Sequence, residues 1–123
     1  MKSSEPVMQF PRRPLPPVAP VRQRLPADHI DDVPGDVKRK LDAFGIRAKI
    51  SAGSRIAITA GSRGIGGLTD LLSGISHAVR ECGAEPFIVP AMGSHGGATA
   101  QGQAEILRRL GVSEQAAGAS ICS

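Results

Sequence analysis

The sequence is almost without aromatic residues: three Phe, no Tyr and no Trp in 123 residues. Proteins that grip single-stranded nucleic acid stack bases on such rings, so this shortage argues against that function. Cysteine is scarce too. Cys82 and Cys122 stand apart, without the spacing of a zinc site or a disulfide scaffold, and reduced thiols in a cytoplasmic protein are the expectation. No apolar run approaches the ~20 residues of a membrane helix, and prolines interrupt any signal-peptide core, so no membrane role is expected.

What remains is the composition of a globular protein, with 41% hydrophobic residues, enough for one domain with a core of its own. The formal net charge of +4 suits phosphate or carboxylate ligands. Much of it comes from arginines in the first 24 residues and from Lys38-Arg39-Lys40. These read as a tail and a solvated helix face, not as a nucleic-acid footprint.

Seven of the ten prolines fall between Pro6 and Pro26. This stretch has polyproline bias and cannot build a core, so residues 1–34 read as a lead-in arm and 35–123 as an α/β domain. The arm is expected to wrap a surface of the domain; the other use of such a segment is as a ligand for SH3-type modules. His29 lies beside Asp28, Asp31 and Asp32, a set with the composition of a metal site but better explained as a solvated loop.

Periodicity then predicts the elements. Val37, Leu41 and Phe44 recur at helical spacing over 35–44, and Gly45 supplies the stop. Residues 54–60 read as a short buried strand ending in Gly61-Ser62-Arg63-Gly64. Over 68–81, Leu68, Leu71, Leu72, Ile75 and Val79 share one helix face, with His77 opposite and exposed. Residues 86–91 form a second strand. A last helix over 100–110 carries Ile106, Leu107 and Leu110 on one side, Gly111 closes it, and Ser113 is placed to cap one further turn.

The order strand–helix–strand–helix predicts a small parallel sheet flanked by helices, in Rossmann-like layers, because such crossovers are right-handed. Parallel strands about 4.8 Å apart would open both post-strand turns on the same edge, where open α/β sheets place their ligands. The second turn, Ala91-Met92-Gly93-Ser94-His95-Gly96-Gly97-Ala98-Thr99, carries one titratable group, His95, among small residues. An imidazole, with a pKa ordinarily near ~6.5, exchanges protons at neutral pH. The first turn presents Ser62 and Arg63, whose guanidinium fork suits a carboxylate or phosphate. Together they suggest proton transfer on a bound anion, with His95 as acid/base and Ser62, Arg63 and Ser94 binding substrate.

Two families resemble these turns. Thr59-Ala60-Gly61-Ser62-Arg63-Gly64-Ile65-Gly66 is similar to the glycine loop of short-chain dehydrogenases, which holds a dinucleotide pyrophosphate. In this sequence Ala60 takes the place of the first glycine, the second strand ends without a ribose-gripping residue, and there is no tyrosine for the catalytic pair. The second resemblance is to the nickel-dependent lactate racemase family. It rests on Ser62-Arg63 and Gly93-Ser94-His95 across the intervening helix. In one branch of racemase-like proteins it extends to Val21-Arg22-Gln23, Gly61 to Ile65, the whole run from Pro86 to Thr99, Gly102-Gln103 and Leu110-Gly111.

That resemblance implies the N-terminal part of a two-domain 2-hydroxy-acid racemase or epimerase, inactive alone. Its nickel-pincer nucleotide would be tethered by a lysine in later sequence and none would be held by these residues alone. His95 would be one of two acid/base histidines and Arg63 the substrate clamp, with a 2-hydroxy acid and a C-terminal domain as the partners. Lactate racemases carry an aspartate where Ala60 stands, so the resemblance does not point to lactate itself. A non-catalytic anion-binding module is the third reading that the residues leave open.

Overall fold

The computed structural model describes residues 14, 16–26 and 28–122. The N-terminal part of the proline-rich stretch, including Pro6 and Pro11, lies outside the described residues. Those lead-in residues that are described, 14 and 16–26, form no helix or strand and are all exposed. Val18 is 92% and Val21 88% exposed.

Helix α1, Val33–Ala43, begins two residues ahead of the helix read from periodicity. Asp32 caps it: the carboxylate accepts from the Gly35 N–H at 2.9 Å, and Pro34 occupies the first turn, where its missing N–H costs nothing. Gly45, at φ 75°, ends it and opens the four-residue helix α2, Ile46–Lys49, which has too few residues to show a period.

Strand β1, Arg55–Ala60, pairs in parallel with β2, Glu85–Pro90, from Arg55↔Glu85 through to Ala60↔Pro90. Helix α3, Leu68–Glu81, crosses between them. After β2 come a 3-10 turn, His95–Ala98, helix α4, Ala100–Arg109, and helix α5, Glu114–Ala117. Ser113 caps α5 through a bond from the Ala116 N–H, the role its position suggested. The chain then adds a third parallel strand, β3, Ser120–Ile121, beside β2, giving the order β1-β2-β3. Two right-handed crossovers running in the same direction put their helices on one face of the sheet. Ile58, Ala60 and Ile88 accordingly point into a core closed by Leu68, Leu72, Leu107, Val112, Ala117 and Ala119.

Helix α3 is buried on two sides. One side, with Leu72 and Val79, meets the sheet and α5; the other meets α1, where Gly74 lies so close to Pro34 and Val37 that an added Cβ would stand 2.9 Å from Pro34 Cα. The apolar stripe announces only the first contact. Lys38 of α1 closes the second with an ion pair to Glu81 at 2.5 Å, and Arg47 of α2 joins it at 3.0 Å. His77 is exposed, as its position on the helix requires, and pairs with Glu81 one turn on.

Candidate active site

Because β1 and β2 run in parallel and end level, their following turns leave the sheet at the same edge. The Ala91 N–H still bonds the Ala60 carbonyl at 2.8 Å, the last rung before the chains part. Beyond it the two turns form the walls of an open cleft of about 410 Å³ lined by Ser62, Arg63, Ile65, Ala91, Met92 and His95. Three of the four candidate site residues are brought together here. Ser94 is not: it is exposed, does not line the cleft, and serves as the residue from which the 3-10 turn begins.

Ser62 and His95, 33 positions apart, are joined by a hydrogen bond of 2.5 Å between Ser62 Oγ and His95 Nδ1. A hydroxyl can donate or accept, so it satisfies Nδ1 in the neutral ring of either tautomer and in the imidazolium. Nε2 is then the nitrogen left for a bound molecule. The sequence placed Ser62 among substrate-binding residues; the structure sets its hydroxyl on His95 Nδ1. Arg63 is exposed and has no carboxylate partner among the described residues, so its guanidinium is available to an anion. Ile65, 57% exposed, and Met92 add an apolar wall that the sequence reading passed over. Their closeness in sequence, Ile65 two residues after Arg63 and Met92 beside Gly93, was the one signal that could have found them.

The turn that presents His95 is tightly built. Gly96 and Gly97 have left-handed backbones, at φ 64° and 69°, followed by Ala98 at φ 55°. Thr99 ends the turn and caps α4, its hydroxyl donating to the Gly96 carbonyl at 3.0 Å and accepting from the Gly102 N–H at 3.1 Å. The Gln103 amide donates to the Gly93 carbonyl at 2.7 Å, tying the start of the turn to the helix that follows. The long motif is thus a frame around one histidine, and Gln103 supports it from outside the turn.

The glycines of the first turn behave differently. A Cβ added at Gly64 or Gly66 would meet nothing within 4 Å, and α3 begins only at Leu68 after Gly67 in the left-handed region. In a dinucleotide loop one glycine permits close packing of helix on strand; neither of these two fills that role.

The described lysines, Lys38, Lys40 and Lys49, sit on α1 and α2, and none lines the cleft. Among the described residues no three His, Cys, Asp or Glu side chains are grouped so as to hold a metal ion. His29 meets Asp31 at 2.9 Å, both well exposed, while Asp32 is committed to capping α1. Cys82 and Cys122 are free thiols. No helix among the described residues is long and apolar enough to cross a membrane. Compared with protein-family models, with curated proteins and with solved structures, the chain matches none.

Proposed function

We propose that this chain supplies the carboxylate clamp and one acid/base group of a cytoplasmic 2-hydroxy-acid racemase or epimerase of the lactate racemase-like type. The observation that carries this reading is the convergence of Arg63 with the hydrogen-bonded Ser62–His95 pair on one cleft at the open edge of the sheet. Arg63 would hold the substrate carboxylate in its planar fork, which fixes the α-carbon relative to the opposite wall. His95, held at Nδ1 by Ser62, would take the 2-hydroxyl proton at Nε2 and return it, the hydroxyl of Ser62 serving both charge states of the ring. Ile65 and Met92 would cover the substituent on the α-carbon.

Inverting that carbon demands more than this cleft contains. Racemisation needs proton exchange at the substrate from a second group and an acceptor for the α-hydride, and side chains cannot accept hydride. The donor set of the cleft, one imidazole and one alcohol, is too small to hold nickel, and no lysine is within it to tether a nucleotide. These residues therefore do not fit the nickel-pincer nucleotide by themselves, and the reading assigns that group and the second histidine to a further domain.

Calorimetry separates the readings. The chain should bind lactate or a longer 2-hydroxy acid weakly, Arg63→Ala should abolish that binding, and neither protein should interconvert the enantiomers, with or without nickel. Binding of NAD independent of Arg63 would support the dehydrogenase-like reading instead. Equal affinity for inorganic phosphate and for the hydroxy acid would reduce the cleft to an anion site.

A further inference from the structure

The lead-in segment has an order of its own that the cleft does not use. Residues 16–24 read Pro16-Pro17-Val18-Ala19-Pro20-Val21-Arg22-Gln23-Arg24. A polyproline helix has three residues per turn, so Pro17 and Pro20 fall on one edge, Val18 and Val21 on the next, and Ala19 and Arg22 on the third. Pro16-Pro17 and Ala19-Pro20 become two Xaa-Pro steps one turn apart, roughly 9 Å at 3.1 Å per residue. Arg22 follows the second step by two positions.

Among the described residues this surface is exposed. Residues 16–26 form no helix or strand, none makes a hydrogen bond to the domain, and each is exposed, Leu25 to 72%. Arg22 and Arg24 have no acidic partner among the described residues. An unpartnered apolar stripe beside two unpaired guanidinium groups, on a chain already biased to one extended conformation, loses little entropy on docking.

We propose that residues 16–24 are a docking ligand for a protein module of the SH3 type. The two Xaa-Pro steps fit two aromatic-lined slots, the mode by which such grooves read proline-rich segments. Arg22 fits an acidic pocket beside them, where a carboxylate can accept from its fork. The prolines supply the shape, and Arg22 fixes the direction in which the segment lies.

The test titrates the full chain against a panel of recombinant SH3 domains that carry an acidic pocket beside the slots, with WW domains run in parallel. Saturable micromolar binding to SH3 domains is expected. Pro20→Ala and Arg22→Glu should each weaken it by at least about tenfold, a loss of ~1.4 kcal/mol, while leaving the thermal midpoint of the domain unchanged. Failure to bind any domain of the panel overturns the proposal. So does binding indifferent to Arg22→Glu, or confined to WW domains, since the acidic pocket would then play no part. A fall in the thermal midpoint with Pro20→Ala also overturns it, because the segment would then be packing on its own domain.

Discussion

Gly96 and Gly102 meet backbone to backbone, and no side chain fits between them: a methyl group on Gly102 would overlap the Gly96 carbonyl. Gly102 lies in the first turn of α4, where alanine normally favours a helix. At this position Gly102→Ala should instead destabilise the domain by about 1–3 kcal/mol, the range for forcing an atom into a filled space. The displaced turn carries His95, so the side-chain resonances of His95 should shift while those of His77, on α3, stay in place. A stability gain measured by urea unfolding would mean that the turn and the helix do not touch.

Ala98 makes a second, independent point about the same turn. It is exposed, yet its backbone sits at φ 55°, where a Cβ crowds the following carbonyl. Branching at Cβ narrows the choices further. Ala98→Val should therefore cost at least ~1 kcal/mol despite the solvent around it, and Ala98→Gly should be neutral or slightly stabilising. Thermal midpoints of the two variants provide the check, and equal midpoints would remove the strain.

Ser76 is fully buried in α3, and its hydroxyl has no hydrogen-bond partner among the described residues. Leaving a hydroxyl unsatisfied in a core costs about 1–3 kcal/mol. Ser76→Ala keeps the shape and removes the group, so it should raise stability by about 1 kcal/mol in urea titrations. A loss of that size would show that the hydroxyl is satisfied in solution.

The contact between α1 and α3 should weaken in acid. The hydrogen bond from Lys38 holds the Glu81 carboxyl below its ordinary value of 4.5, against some desolvation, with the charges of Lys38, His77 and Arg47 adding to the effect. A carboxyl depressed on folding contributes stability above its unfolded pKa and loses it as pH falls through the folded one. Lys38 shifts the opposite way: its bonds to Glu81 and Asp42 raise its pKa, so its share is complete below the ordinary lysine value of 10.5 and is lost as pH rises beyond it. Urea midpoints should hold steady near neutrality and fall below about pH 4.5, and Lys38→Met should flatten that acid limb. An unchanged acid limb in the variant would detach the pair from stability.

Much of this protein is written locally. The 3.6-residue period was enough to find α3 and α4, and short apolar runs ending in glycine-rich turns were enough to find β1 and β2. Their alternation implies parallel pairing through the handedness of crossovers, and that in turn implies that Ser62-Arg63 and His95 face one cleft. The short elements escaped: α2 has four residues and β3 two, too few for a period. The second buried side of α3 escaped because its signal is the small residue Gly74, which reads as a weak helix former until α1 is laid against it. What only the tertiary structure decided is which hydroxyl meets the histidine at the cleft. Ser62 and Ser94 are equivalent in sequence, each a small hydroxyl followed by a basic residue type, Arg63 and His95. The register of β1 on β2 puts Ser62 within bonding distance of His95 Nδ1, while Ser94 stays exposed at the start of the 3-10 turn. Residue types and spacing specify which groups a turn can offer; which of them meet is set by strand pairing between segments some thirty residues apart, and no local pattern carries that distance.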